Sequence, residues 1–244
     1  MSLHATAGGA GLSLLPAPLP EITLWWCDLD LRKEGIAHFV GWLSQSERAR
    51  ADRFGPPQLR DRFIAGRTAL RFILSSMLGV GPQDVPLRRG PRGRPEIEGD
   101  DRFDFNVSHT ADSALIGVIA RTHGSRRIGV DIERLDRTVN ADRLSSKFLT
   151  ENEGRSLLAL PADDRIRSFL RYWTYKEAMS KATGDGLIAP FGKLDVEIGD
   201  SPRLAAGPPP YEPGAWTLFR IAAPAGFLAA LAVWAPGDDT LQPL

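Results

Sequence analysis

The sequence contains a single cysteine, Cys27, so no disulfide can form within the chain. A reducing, cytoplasmic setting fits this composition. Thirty basic and thirty acidic residues cancel, so bulk charge gives no reason to expect a nucleic-acid partner, and any phosphate must be bound by a local cluster. No apolar run is long enough to cross a bilayer, and we therefore expect no membrane partner.

The remaining composition is that of a globular protein. Hydrophobic residues make up 43% of the 244 residues, enough for one sizeable core or two small ones. Residues 1–20 are rich in Ala, Gly, Leu and Pro and lack the basic segment of a signal peptide, so they predict a disordered leader. Residues 21–28 are rich in β-branched and aromatic side chains and predict the first strand.

An acidic pair lies on a second predicted strand, residues 128–133, with the sequence IGVDIE. Side chains two apart on a strand point to the same face, so Asp131 and Glu133 would lie side by side. At a solvated strand end this costs little, but if the pair is partly buried, one carboxylate must be protonated or a cation must lie between them. Because Mg²⁺ prefers oxygen ligands and keeps phosphates and waters in its shell, the pair is a candidate magnesium site.

A second motif is predicted on a helix over residues 163–182, which Gly184 ends. Side chains four apart share one helical face, and here they are Phe169, Trp173, Glu177 and Lys181. Lys176 lies off this face. The simpler interpretation is an amphipathic helix with its aromatic residues in the core and a surface ion pair between Glu177 and Lys181.

Together these motifs carry a family resemblance. Residues 129–133 (GVDIE), followed forty residues later by residues 173–181 (WTYKEAMSK), resemble the signature pair of the 4′-phosphopantetheinyl transferase superfamily. Residues 92–95 (RGRP) and 105–110 (FNVSHT) extend the resemblance, which covers roughly residues 20–235. The length and layout are similar to the larger, surfactin-type branch.

The resemblance implies an α+β fold of two pseudo-symmetric halves, each a small antiparallel sheet packed with a long helix. The long helices would span residues 58–78 and 163–182. The implied divisions are a leader (1–20), a coenzyme A-binding half (21–122), a joint (123–127), a half with the metal site and a carrier-facing surface (128–235), and a tail (236–244). Two complementary halves in one chain suggest a monomer.

The implied reaction transfers the 4′-phosphopantetheine arm of coenzyme A to a serine of an apo acyl or peptidyl carrier protein. By this resemblance Mg²⁺, with Mn²⁺ as an alternative, is held by Asp131, Glu133 and Glu177. Lys181 would bind an outer phosphate oxygen. Glu177 is our choice of general base, with Glu133 or a metal-bound water as alternatives. Whether the carrier serves fatty-acid, polyketide or peptide synthesis is left open.

The resemblance also implies residues that contact coenzyme A. The expected set is Arg48, Arg50, Arg67, Thr68, Arg94, Ser108, His109, Lys176 and Lys181. The basic residues before position 70 would approach the 3′-phosphate, and Ser108 with His109 would line the diphosphate. Arg94 stands where the family usually has lysine. Each group also has a non-functional interpretation. Arg48 and Arg50 would lie on a solvated helix face, Arg94 in a solvated basic loop, and His109 would be structural.

Two other functions fit parts of the pattern. A hydrophobic strand that ends in Asp-x-acid also opens haloacid-dehalogenase-type phosphatases, but Arg134 follows Glu133 where Thr or Val would be usual. A carrier-protein binder without catalytic activity is the other alternative. The predicted helix with Arg143 and Lys147 would face the acidic carrier by resemblance, although an ordinary surface helix has the same appearance.

Overall fold

The computed structural model describes residues 4–7, 10–30, 39–90, 92–121 and 125–237. Residues 123 and 124 of the predicted joint and residues 238–244 of the predicted tail lie outside this description. The described chain forms two main antiparallel sheets, each packed with one long helix. The predicted α+β class is therefore confirmed.

The first half contains a five-stranded sheet in the order β1-β2-β3-β7-β6 and a small β4–β5 hairpin. Its helices and strands are β1 (His4–Ala7), β2 (Ala10–Leu15), β3 (Ile22–Asp28), α1 (Gln45–Ala51), α2 (Pro57–Leu78), β4 (Leu87–Arg89), β5 (Pro95–Ile97), β6 (Phe103–Thr110) and β7 (Ser113–Ala120). Apolar side chains of α2 pack on one face of this sheet.

The second half contains a three-stranded sheet in the order β11-β12-β8 and a β9–β10 pair. Its helices and strands are β8 (Arg127–Arg134), α3 (Ala141–Phe148), α4 (Glu151–Leu158), α5 (Ala162–Thr183), β9 (Asp195–Glu197), β10 (Arg203–Ala206), β11 (Trp216–Ile221) and β12 (Phe227–Trp234). Helix α5 packs on this sheet. A third apolar cluster, from β3, β7, β8, β11 and β12, joins the two sheets.

The predicted disordered leader is wrong where strands β1 and β2 form. Strand β2 pairs antiparallel with β3, and β1 pairs with β2. Leu12 is buried and packs in the cluster beneath α2. The free edge of β3 supplies the hydrogen-bond partners that make this segment a strand. The composition of residues 1–20, on which the prediction rested, carries no information about that edge.

The two long helices agree with the predicted spans to within one residue. Helix α2 begins with Pro57 in its first turn, where the missing N–H costs nothing. Both helices end at glycines in the left-handed conformation, Gly79 with φ 72° and Gly184 with φ 85°. Among the described residues, no helix is both long enough and apolar enough to cross a membrane.

Strand β8 approaches α5 very closely at Gly129. A Cβ atom at this position would lie 1.9 Å from the carbonyl oxygen of Ala178 and 2.7 Å from the amide nitrogen of Ala182. Because real Cβ atoms do not come so near backbone atoms, only glycine permits this crossing. The close contact brings the side chains of β8 within bonding distance of those on α5.

The two sheets meet at their edge strands, β6 and β8. Backbone N–H groups on the outer edge of β8 donate to side chains of β6, in three pairs: Ile128 to Asp104 (2.8 Å), Val130 to Asn106 (3.1 Å) and Ile132 to Ser108 (3.2 Å). An edge strand otherwise leaves such groups unpaired, which is costly when they are buried. We call these three acceptors the β6 ladder.

Candidate active site at the junction of the halves

Asp131 lies at the centre of the junction, on β8. Its Oδ1 accepts from the Nζ of Lys181 at 2.6 Å and from the Oγ of Ser108 at 2.9 Å. Its Oδ2 is buried and has no hydrogen-bond partner within the described part of the chain. Burial raises the pKa of Asp131, although Lys181 and Ser108 act in the opposite direction. A buried carboxylate oxygen left unpaired fits a site that binds a cation.

Lys181 is placed on α5 as the sequence predicts, on the same face as Glu177. Its ammonium donates to Ser108 at 2.8 Å as well as to Asp131. About a quarter of the side chain is exposed (26%), so the ammonium can be reached from solvent. The lysine therefore combines a bond to the central carboxylate with access to an anion from outside.

Glu133 lies two residues further along β8 and is buried. The guanidinium of Arg137 donates to its Oε1 at 2.5 Å, and the indole of Trp173 lies near enough to lower its pKa. Burial and the neighbouring charge of Asp131 raise the pKa of Glu133, while Arg137 lowers it. The predicted acidic pair is therefore real, and each member has a protein cation beside it.

Glu177 on α5 completes the predicted set of carboxylates. Burial raises its pKa to about 7, and the charges of Asp131 and Glu133 add to this effect. Lys181 and Arg137 lower it. A carboxylate with a pKa close to neutrality can take up a proton under physiological conditions.

The three carboxylates influence one another but do not form a ready-made metal cluster. Over the described ranges, no group of three or more His, Cys, Asp or Glu side chains has the arrangement of a metal site. The donors are nevertheless hard oxygens, which suit Mg²⁺, and one of them is a buried oxygen without a partner. The residue types and the unpaired Oδ2 of Asp131 therefore fit a magnesium ion.

Ser108 and His109 end β6 beside this site, but they differ in role. Ser108 is buried, and its hydroxyl is engaged by Asp131, Lys181 and the backbone of β8. This geometry favours a positioning role over the predicted contact with coenzyme A. His109 is exposed, and desolvation together with Lys181 and Arg50 lowers its pKa. A neutral imidazole at this position is available to a ligand in the junction.

A basic groove opens in the first half, with a cavity volume of about 470 Å³. It is lined by Ser44, Ser46, Glu47, Arg50, Arg53, Phe63, Arg67, Leu87, Arg88 and Arg89. The Nε of Arg67 donates to the Oε1 of Glu47 at 2.8 Å. The guanidinium of Arg50 lies 5.1 Å from the ring centre of Phe63. The structure thus brings the predicted Arg50 and Arg67 together and adds three further arginines.

Arg48 is not among the residues that line this groove. Its Nη1 donates to the backbone oxygen of Leu43 at 2.6 Å. Arg50 near the end of α1 and Arg53, two residues beyond it, line the groove, whereas Arg48 does not. Arg88 and Arg89 were missed as individual groove residues, although the resemblance at residues 92–95 lies close to them in the sequence.

For three predicted coenzyme A contacts the structure gives a different environment from the expected one, because their side chains are buried and bonded inside the protein. Thr68 is fully buried, and its hydroxyl donates to the backbone oxygens of Ile64 and Ala65. Threonine often bonds back to its own helix in this way. No part of its side chain reaches the surface of α2.

Arg94 is the second of these corrections. Its guanidinium forms a two-bond pair with Asp104, at 2.9 and 2.7 Å. It also donates to the backbone oxygens of Lys181 and Ile128, both at 2.9 Å. These bonds use its donors to tie the first half to β8 and α5, so Arg94 fixes the junction.

Lys176 is the third correction. Its side chain is fully buried between α5, α4 and the segment at Phe191, and its Nζ donates to Glu153 at 2.5 Å. It also donates to the backbone oxygens of Phe148 and Phe191, at 2.9 and 2.8 Å. Three acceptors inside the protein therefore satisfy this ammonium.

Comparison with known proteins agrees with this site. One family model, described as the 4′-phosphopantetheinyl transferase superfamily, matches residues 127–232, and another, described as 4′-phosphopantetheinyl transferase, N-terminal, matches residues 32–121. The chain is 37% identical to the 4′-phosphopantetheinyl transferase HetI of Nostoc sp. over 230 residues, covering 88% of this chain and 90% of that protein. The chain belongs to the 4′-phosphopantetheinyl transferase superfamily.

Two further matches complete the comparison. A putative 4′-phosphopantetheinyl transferase of Synechocystis sp. is 35% identical, over 69% of this chain and 67% of its own length. A holo-(acyl-carrier-protein) synthase from Bacillus anthracis, solved in complex with coenzyme A, aligns with a TM-score of 0.38 and 26% identity, over 45% of this chain and 95% of that chain. The separate match of an N-terminal model agrees with the larger, surfactin-type branch.

Proposed function

We propose that this protein transfers the 4′-phosphopantetheine arm of coenzyme A to a serine hydroxyl of an apo carrier protein and releases adenosine 3′,5′-bisphosphate. The observation that carries the proposal is the buried carboxylate of Asp131, where the two halves meet. One of its oxygens accepts from Lys181, and the other has no hydrogen-bond partner among the described residues. Family membership agrees with the same reaction.

Asp131, Glu133 and Glu177 would hold Mg²⁺, with Mn²⁺ as an alternative. Their mutual effect on pKa supports this assignment, because like charges raise one another's pKa only when they lie close together. When bound, the ion would neutralise the diphosphate of coenzyme A and stabilise charge on the leaving oxygen. Lys181, which is partly exposed, would bind an outer phosphate oxygen.

We assign Glu177 as the general base. Its carboxylate has a pKa of about 7 and so can accept the proton of the attacking serine near neutral pH. Glu133 is a weaker candidate, because Arg137 already uses its Oε1 as an acceptor. A base that keeps a free lone pair is better placed to take a new proton.

We assign the basic groove to the 3′-phosphate of coenzyme A. Arginine forks suit phosphate oxygens because they can form two parallel bonds, and Arg50, Arg67 and Arg88 converge on this groove. The groove is electrostatically linked to the junction, since Arg50 and Lys181 both act on His109. One elongated anion could therefore extend from the groove to Asp131.

The carrier would approach at α3, where Lys147 is exposed and lies 4.9 Å from the ring centre of Phe148. Beside it, an apolar groove of about 210 Å³ is lined by Arg137, Val139, Leu144, Phe148, Phe169 and Trp173. Positive charge at an apolar groove suits an acidic, amphipathic helix. We retain a monomer and a cytoplasmic setting, which the buried thiol of Cys27 fits.

The reaction is tested by the intact mass of several apo carrier proteins after incubation with this protein, coenzyme A and Mg²⁺. We expect the mass of one phosphopantetheine arm to be added, and a chelator to prevent it. Asp163→Asn, an exposed acidic residue at the start of α5, is the matched control and should retain activity. Coenzyme A binding without transfer to any carrier would instead favour a binding protein.

A further inference from the structure

The second half contains a buried ion pair between Lys176 and Glu153. Neither side chain is accessible to solvent beyond 1%. Lys176 directly precedes Glu177 in the sequence, but it points to the other side of α5. Three buried acceptors, namely Glu153 and the backbone oxygens of Phe148 and Phe191, satisfy its ammonium completely.

Glu153 is tied down as firmly as its partner. Its Oε1 accepts from the backbone N–H of Val196 at 2.9 Å, and its Oε2 accepts from that of Thr150 at 2.7 Å. The carboxylate therefore joins the start of α4 and strand β9 to the lysine on α5. Removal of one partner from such a pair leaves an uncompensated buried charge.

The backbone groups that Lys176 holds belong to two aromatic residues, and both contact Trp173. The rings of Phe148 and Phe191 lie edge-on to the indole, with centroids 5.0 and 5.5 Å away. Phe169 stacks against it with a centroid distance of 6.3 Å. These contacts fix the plane of the indole from three directions.

Trp173 lies beside Glu133: it lines the same groove as Arg137, whose guanidinium donates to Glu133, and its indole lowers the pKa of that carboxyl. A set of packed side chains therefore runs from Glu153 through Lys176, the two phenylalanines and the indole to the surroundings of a proposed metal ligand. Residues that orient a ligand through such contacts normally affect metal affinity when they are changed.

We propose that Lys176 and Glu153 form a positioning pair for the metal ligand Glu133, acting through the aromatic residues around Trp173, and that Lys176 does not bind substrate. This inference rests on the proposed magnesium-dependent transfer. It explains why two lysines in one helical segment have separate tasks: Lys181 faces the ligand, and Lys176 orients the residues behind it.

The test compares Lys176→Met, Glu153→Gln and the double variant Lys176→Met/Glu153→Gln with the wild type. Mg²⁺ binding is followed as a thermal-shift titration in the presence of coenzyme A, and coenzyme A binding is measured separately in chelator. Lys193→Met, an exposed lysine two residues after Phe191, is the matched control.

We expect Lys176→Met and Glu153→Gln to weaken Mg²⁺ binding by about 10- to 100-fold, as is usual for residues that orient metal ligands. Coenzyme A affinity should change by less than about twofold, because neither side chain reaches it. The double variant removes both buried charges. The amide that Glu153→Gln introduces can donate to the backbone oxygens of Phe148 and Phe191, which lose the lysine as their donor. It should return to within about fivefold of wild-type Mg²⁺ binding.

Weakened coenzyme A binding in Lys176→Met that the double variant does not restore would overturn the inference, since it would make Lys176 a substrate ligand. Unchanged Mg²⁺ affinity in Glu153→Gln would overturn it as well. If Lys176→Met does not fold, the folded double variant decides in the same way: near-normal Mg²⁺ affinity supports the pair, and weak affinity refutes it.

The wild type separates this inference from the proposed function. No magnesium-dependent transfer by the wild type to any carrier would refute the function itself. Normal transfer by the wild type, together with unaltered Mg²⁺ affinity in both single variants, would refute only the positioning pair.

Discussion

The two halves use the same layout for different tasks. Helices α2 and α5 each have 22 residues, cover their own sheet and end at a left-handed glycine. Helix α2 contributes Arg67 to a basic groove, whereas α5 contributes Glu177 and Lys181 to an acidic junction. A shared architecture therefore does not determine chemistry, which depends on a few side chains at matching places.

The two edge strands differ in the same way. Strand β6 uses its side chains to satisfy the backbone of β8, through the β6 ladder. Strand β8 thereby has its backbone fixed from one side and presents Asp131 and Glu133 to the site. Strand β6 therefore positions the site and strand β8 supplies its carboxylates. The following predictions test this division between positioning and chemistry.

The largest effect is expected from Asp131→Asn in the second half. The change removes the negative charge from the centre of the junction while keeping the shape of the side chain. We expect turnover to fall by at least about 1,000-fold, the range seen when charge stabilisation at a reacting centre is lost. Coenzyme A binding in chelator should persist through the basic groove, and loss of both together would contradict separate tasks for the halves.

In the first half, Arg50→Ala should instead raise the KM for coenzyme A. We expect a rise of about 10- to 50-fold with kcat within about threefold of wild type, because a phosphate contact away from the reacting atoms binds ground and transition states equally. Steady-state kinetics with a saturating carrier measure both. Arg48→Ala is the control, since Arg48 bonds to Leu43 outside the groove; an equal effect there would favour the original sequence prediction.

The holding role of β6 is tested by Asn106→Ala. This change leaves the buried N–H of Val130 without its acceptor, which should lower the free energy of unfolding by about 1–3 kcal/mol. Urea unfolding measures the loss. Thr110→Ala, at the end of the same strand and outside the ladder, should lower the free energy of unfolding less. An equal loss in both variants would show that the ladder does not contribute more to stability than the rest of β6.

The last prediction concerns pH. In the folded protein the pKa of Glu177 rises from 4.5 to about 7, so the fold binds this proton more tightly than the unfolded chain does. The stabilisation is complete below about pH 4.5 and is lost as the pH rises through about 7. In chelator, wild type should lose about 2 kcal/mol more than Glu177→Gln between about pH 5 and 8. If the free energies of unfolding of wild type and Glu177→Gln changed equally with pH, a raised pKa of Glu177 would be excluded.

Helical and strand periodicity predicted much of the acidic site correctly. The alternation in β8 placed Asp131 and Glu133 on one face, and the spacing on α5 placed Lys181 beside Glu177 and Lys176 elsewhere. Periodicity gives only the direction in which a side chain points within its own element. The partner it meets belongs to another part of the chain, as Glu153 does for Lys176.

The same limit explains the other corrections. Arg94 carries the charge and position expected of a phosphate ligand, yet Asp104 on β6 lies within bonding distance and captures it. Residues 10–15 have a weak strand pattern, and only the free edge of β3 makes them a strand. In both places the deciding contact is between elements, which local sequence does not encode.

The glycine at position 129 makes the site sensitive to volume as well as to charge. A single methyl group there would leave every carboxylate, ammonium and hydroxyl of the site in the chain, yet it could not fit against the backbone of α5. The helix would have to move outward, and Lys181 and Glu177 would move with it. The close packing of β8 on α5 at Gly129 thus sets the distance between the carboxylate of Asp131 and the ammonium of Lys181.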